Sequence, residues 1–244
     1  AGPATSSAGL LALRRGYATA AVPMDPRKWA CTASAQFRHS VGIVTQCRNS
    51  GIMGAMDLSF PLAALIPTLE AAALEVLART ESALSATQVT RLARRGGRTG
   101  LTLALDRLVA QGLVTSERSN TGSLYRFNRQ HILAPVVRGA LEAPNRIVEL
   151  LRDRVREMPG LEHASLYGSF ARGEAGPDSD IDLFLVTKDH GGLFDEFQGA
   201  LRELETDVLA WTGNRMETLL MTANELARAV YSEEPLMDSL RAEA

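Results

Sequence analysis

Hydrophobic and polar positions change period along this chain, and each change predicts a different kind of element. Over residues 1–55 neither the strand period of two nor the helical period of 3.6 is sustained, so no element is expected there. From Leu69 the pattern turns helical: in LEAAALEVLART, Leu69, Ala73, Val76 and Leu77 share one face. Ser85 and Gln88 have the spacing of a capping box, opening a second helix with Val89, Leu92 and Ala93 as its apolar face. After Gly96-Gly97 a third helix starts near Thr99 and turns Leu101, Leu105, Leu108 and Val109 inward until Gly112 stops it. The period then drops to two over Leu113 to Arg118 and Leu124 to Asn128, with Ser119-Asn120-Thr121-Gly122 as the hairpin turn.

Helical periodicity returns in His131 to Leu141 and in Arg146 to Met158, separated by Pro144. The second of these has Ile147, Val148, Leu150, Leu151 and Val155 to lay on a sheet. Short apolar runs predict strands at Ala164 to Tyr167, Asp180 to Val186 and Asn214 to Thr222. A long amphipathic segment, Leu193 to Trp211, separates the last two, and helices are expected at Ala223 to Tyr231 and Pro235 to Ala242. Glu233-Glu234 between them reads as solvent-facing.

The chemistry concentrates in GSFARGEAGPDSDIDLFLV, from Gly168 to Val186. Side chains alternate along a strand, so Asp180 and Asp182 project from one face while Ile181, Leu183 and Leu185 enter the other. Two carboxylates so close repel each other, an arrangement that a divalent cation shared with phosphates and water would relieve. Upstream, Gly168 allows close approach of the backbone to an anion, Ser169 adds a hydroxyl, and a helix opening near Phe170 would aim free N–H groups at a phosphate. Arg172 could neutralise further charge there.

Composition is that of an ordinary globular chain: 244 residues, 45% hydrophobic and 22% charged, with no run long enough to span a membrane. The net charge of -2 hides a polarity. Residues 1–55 carry six bases and one acid, residues 68–133 nine and five, and residues 145–244 ten and twenty. The middle segment is therefore the candidate for contacting a polyanion, and an acidic C-terminal segment that handles nucleotides needs metal to screen them. Cys31 and Cys47 give neither a disulfide framework nor a zinc spacing, which makes a reducing cytoplasm the expected compartment. His131, His163 and His190 show no ligand spacing.

From near Asn145 onward, the joined G-S-x-A-R-G and S-D-x-D-L motifs resemble the nucleotidyltransferases of the DNA polymerase β-like superfamily, especially its minimal prokaryotic branch. The resemblance implies that Gly168 and Ser169 bind a nucleoside triphosphate, with ATP the first candidate, and that Asp180 and Asp182 hold Mg²⁺. It also implies a third carboxylate on a neighbouring strand, for which Glu217 in NRMETLLMT is the candidate; an exposed strand glutamate is the plainer reading. Helix, helix, turn, helix and hairpin over residues 68–130 resemble a winged helix-turn-helix domain. In that family the third helix enters the DNA major groove and the wing touches phosphates. Here that implies contacts by Arg94, Arg95, Arg98, Thr99, Thr102, Arg118 and Arg126, although winged helices also serve as protein-docking modules.

The expected fold is α+β, with an N-terminal winged helix-turn-helix followed by a small mixed-sheet, polymerase β-like nucleotidyltransferase domain. Residues 1–55 are expected to be disordered or foreign to the native protein, whose start would be Met56. Leu10 to Ala21 has the Arg-rich, acid-poor look of a transit peptide. Residues 56–130 form the winged helix, 131–158 a helical linker and 159–244 the nucleotidyltransferase domain. The implied activity is Mg²⁺-dependent transfer of a nucleoside monophosphate to an acceptor that the sequence leaves open among protein, RNA end and small molecule. The alternative is a winged-helix regulator bound to double-stranded DNA, whose second domain senses nucleotide or acts in a toxin–antitoxin system.

Overall fold

A computed structural model describes residues 42–43, 54–93, 95–120, 122–188 and 193–231. They fall into two compact units, one of residues 57–146 and the other of residues up to 56 together with those from 147 onward. Arg94, Cys31, Cys47, His190, Glu233-Glu234, the stretch Leu10 to Ala21 and the helix expected from Pro235 lie outside the described residues.

In the unit of residues 57–146, a 3-10 turn (Pro61–Ala64) precedes helix α1 (Leu69–Ala78), a short strand β2 (Leu84–Ser85), α2 (Ala86–Ala93) and α3 (Arg98–Ala110). The hairpin β3 (Val114–Ser119) and β4 (Gly122–Phe127) and helix α4 (Ala134–Leu141) complete it. Its antiparallel sheet runs β2-β4-β3. The expected capping box forms: Gln88 Oε1 accepts from the Ser85 N–H (2.8 Å), and Ser85 Oγ accepts from the Gln88 N–H (3.3 Å). Leu74, Leu77, Val89, Leu101, Leu105, Tyr125 and Phe127 share one core with Ala134, Val137 and Leu141 of α4. Each fully buried leucine stabilises the unit by about 1.5–3 kcal/mol. That core corrects two expectations. Leu92, expected inside, is 52% exposed, because α2 is short and buries only Val89. And α4, expected as a linker, packs its buried residues at i, i+3 and i+7 into the unit.

Two acids on α1 behave in opposite ways. Glu70 accepts a hydrogen bond from Arg107 Nε on α3, which holds its carboxyl down at about 2 against an ordinary 4.5. Glu75 is 8% exposed, and burial raises its carboxyl even though Arg79 donates to it at 2.9 Å. A depressed carboxylate stabilises the fold above its unfolded value and loses that contribution as pH falls through the folded one. We therefore expect the Glu70 contribution to vanish as pH falls from about 4.5 to about 2. Because Arg107 is largely exposed, screening holds the loss to about 1 kcal/mol. Urea unfolding of wild type and Arg107→Gln across that window measures it. Parallel curves would rule the pair out as a source of acid sensitivity.

The other unit is built on a four-stranded mixed sheet of order β1-β7-β6-β5. Its strands are β1 (Gly42–Ile43), β5 (Leu161–Tyr167), β6 (Ile181–Thr187) and β7 (Met216–Thr222). Helices α5 (Ala143–Arg156), α6 (Gly168–Ala171), α7 (Phe194–Thr212) and α8 (Ala223–Tyr231) surround it. Strands β5 and β6 are antiparallel, while β6 and β7 are parallel, joined by the crossover helix α7. Alternation works as expected on the sheet: Ile181, Leu183 and Leu185 are fully buried. On the opposite face Phe184, Val186, Leu219 and Met221 cluster with Ala229 of α8, and Tyr167 and Leu226 pack against them. Pro144, expected to separate two helices, sits in the first turn of α5, where its missing N–H breaks no helical bond.

Residues 1–55 are not uniformly without structure. Gly42 and Ile43 pair antiparallel with Leu220 and Leu219, and the Met56 N–H donates to the Thr212 carbonyl at 3.0 Å. Among the described residues no helix is long and apolar enough to cross a membrane.

Candidate active site

At the end of β5 the extended backbone of Tyr167 gives way to Gly168 at φ 72°, and α6 begins there rather than near Phe170. Phe170 is buried and anchors the turn, while Ser169 stays half-exposed. The Ser169 carbonyl accepts from the Glu174 N–H at 2.9 Å, folding the chain back toward β6. Asp182 lies directly against Gly168: an ideal Cβ on that glycine would stand 2.9 Å from the Asp182 Cγ and 3.3 Å from its Cβ. The glycine turn and the second strand carboxylate are therefore in contact.

Strand register sets the rest. Asp182 pairs with Tyr167 on one side and with Glu217 on the other, so these three share one line across one face of the sheet. Asp180 lies one strand period earlier, just outside β6. Burial raises its carboxyl above the ordinary carboxylate range, and the field of Arg215 opposes that rise. Glu217 is exposed. Among the described residues, no three His, Cys, Asp or Glu side chains are gathered closely enough to form a ready metal cluster. The structure thus brings Asp182, Glu217 and the Gly168 turn together and leaves Asp180 beside them. Arg172 donates from Nε to Glu174 Oε2 at 3.1 Å, so part of its charge is already compensated.

The loop before Asp180 is held by Asn214, a residue the sequence reading passed over. This side chain is 1% exposed. Its Oδ1 accepts from the Met56 N–H (3.1 Å), and its Nδ2 donates to the carbonyls of Met56 (3.1 Å) and Ser179 (3.0 Å). Removing it takes the donor from the part-buried carbonyls of Met56 and Ser179, while the Met56 N–H keeps the Thr212 carbonyl, at a cost of about 1–3 kcal/mol for each group left unpaired. Asn214→Ala is therefore expected to destabilise this unit by about 2–4 kcal/mol in urea unfolding followed by tryptophan fluorescence. Asn214→Asp, which keeps the acceptor but not the donor, should fall between. An alanine variant within about 0.5 kcal/mol of wild type would disprove the clamp. Tyr167 and Arg215 were also missed, because their places beside β6 follow from strand pairing and register, which alternation along one strand does not reveal.

In the other unit the expected polyanion-contacting residues are scattered. Arg95 is committed to Asp57 (2.5 Å) and lies over the Phe60 ring, 4.2 Å from its centre. Arg98 and Thr99 are exposed in the first turn of α3, and the Thr102 hydroxyl donates to the Arg98 carbonyl at 2.9 Å. Arg118 and Arg126 are exposed on the hairpin. Arg118 pairs with Ser123 and Arg126 with Thr115, which puts the two on opposite faces.

Residues 148–232 match the model of the family described as nucleotidyltransferase domain. The protein is accordingly an enzyme, a nucleotidyltransferase by its C-terminal part. No curated protein matches the chain. A single-site mutant of ZitR from Lactococcus lactis is similar at 14% identity over 50% of this chain and 75% of that one, with a TM-score of 0.28, a likeness that carries no argument.

Proposed function

We propose that the C-terminal unit transfers a nucleoside monophosphate from a nucleoside triphosphate, with ATP the first candidate, to an acceptor hydroxyl, releasing pyrophosphate. The observation that carries this reading is the contact of the Asp182 carboxylate with the Gly168 turn, in register with Glu217, inside the segment that matches the family. Gly168 and Ser169 receive the triphosphate. The acceptor oxygen bonds to the α-phosphorus as the bond from that phosphorus to the bridging oxygen breaks.

The donor set suits Mg²⁺, because Asp180, Asp182 and Glu217 offer hard carboxylate oxygens and nothing softer. Glu217 and Asp182 are adjacent in the ladder, and Asp180 is close enough in sequence to join them when a cation outweighs its burial. The ion, held by these three, would lower the acceptor's pKa and steady charge on the leaving oxygen. The chain's own residues hold the phosphates and orient the α-phosphorus, which is most of the work in such chemistry.

Residues 56–130 act as a winged helix on double-stranded DNA, with the exposed Arg98, Thr99, Arg118 and Arg126 as contacts, joined by Arg94 and Thr102. Arg95 drops to a supporting role, since Asp57 and Phe60 already hold it. We place the protein in the cytoplasm, where nucleoside triphosphates and DNA meet. The test is a single preparation of full-length protein. Pyrophosphate release from labelled NTPs with Mg²⁺ supports the transferase, and a salt-sensitive mobility shift of duplex DNA supports the winged helix. Absence of turnover with every NTP, in extract as well as alone, would sink the first. An unshifted duplex at low salt would sink the second.

A further inference from the structure

We propose that Arg215 binds the polyphosphate of the nucleotide, a role that rests on the nucleotidyltransferase reading above. Its position follows from the sheet. The Ile181 N–H donates to the Arg215 carbonyl at 2.8 Å, continuing the parallel register one step before the Ile181–Met216 pair. Arg215 therefore stands beside Asp180, as Glu217 stands beside Asp182. Alternation agrees: Arg215 and Glu217 are exposed, while Asn214 and Met216 between and before them are buried.

The point of attachment is rigid. Asn214, immediately upstream, is locked to the Met56 and Ser179 backbones, so the strand holds the Arg215 backbone in place beside Asp180. The site also needs a cation of its own. A triphosphate brings several negative charges to a face that already holds Asp180, Asp182 and Glu217. Arg172, the base of the turn, is partly satisfied by Glu174. Arg154 pairs with Asp207 and Arg156 with Asp153. Arg215 makes no ion pair within salt-bridge distance among the described residues. A guanidinium presents its donors as a planar fork that matches two phosphate oxygens, which an ammonium cannot reproduce.

A rival role for Arg215 is to screen Asp180 and nothing more. The two roles separate on the number of phosphates. Full-length protein with Mg²⁺ is titrated calorimetrically with inorganic tripolyphosphate, ATP and AMP, for wild type, Arg215→Ala and Arg215→Lys. Tripolyphosphate carries no base, so the result is independent of which nucleotide the enzyme prefers. Arg215→Ala should weaken tripolyphosphate and ATP by about 10- to 100-fold and AMP by less than about twofold, with Arg215→Lys intermediate. Equal losses for ATP and AMP, or unchanged tripolyphosphate affinity, would overturn the proposal while leaving the transferase reading in place. A wild type that binds neither tripolyphosphate nor any of ATP, GTP, CTP and UTP would overturn both.

Discussion

Asp182→Ala is expected to lower pyrophosphate release by about a thousandfold while nucleotide affinity falls no more than about tenfold. The asymmetry follows from position. Asp182 lies on a central strand between Tyr167 and Glu217, against the glycine turn proposed to receive the triphosphate. Its charge matters most when charge redistributes on the phosphorus, so its loss falls on the transition state more than on the ground state. The triphosphate keeps its other contacts. Folding should survive, because the backbone pairing of β6 on both sides does not involve the side chain. Asp182→Asn keeps the shape and removes the charge, and should be nearly as inactive. Steady-state rates with calorimetric nucleotide affinity give both numbers. A turnover within tenfold of wild type in either variant would remove Asp182 from the chemistry.

What could be read in advance divides by the range of the interaction. The face of Asp182, opposite Ile181 and Leu183, was legible because a period of two fixes it without knowledge of anything else. The helices of residues 69–110 were legible because Leu101, Leu105 and Leu108 repeat at helical spacing, and because the Ser85–Gln88 box is local chemistry. Leu92 and Pro144 were misplaced by a turn of helix or less, and the other failures are long-range. Strand β1 has only Gly42 and Ile43, too short for any period, and exists because β7 offers an edge about 180 residues later. Asn214 reads as an ordinary polar residue until its partners, 158 and 35 positions away, are known. Arg95 belongs to a basic run in the sequence, yet its partner Asp57 lies 38 residues upstream. Parallel pairing of β6 with β7 joins Glu217 to Asp182 across a 19-residue crossover helix, so only the family resemblance could nominate it.

Gly168→Ala should be the next most damaging change after loss of the carboxylate it touches. Two penalties coincide there. The φ of 72° costs an L-residue about 1–2 kcal/mol, and the new methyl would stand 2.9 Å from the Asp182 Cγ and closer still to its oxygen. Neither the ladder backbone nor the buried Phe170 yields easily, so the Asp182 side chain must rotate or the turn must tilt. A displacement of about 1 Å at a reacting centre costs about a hundredfold in rate, which is the loss expected for this variant. Gly160→Ala isolates the cause. That glycine has a φ of 71° and would meet nothing nearer than the Leu193 Cβ at 4.0 Å, so it bears the backbone penalty alone. The two variants should therefore lose similar stability from φ, while only Gly168→Ala loses turnover. Equal activity in both would mean that the turn and the carboxylate do not work as one site. A selective loss at Gly168 would tie the glycine to the position of Asp182 rather than to the stability of the unit.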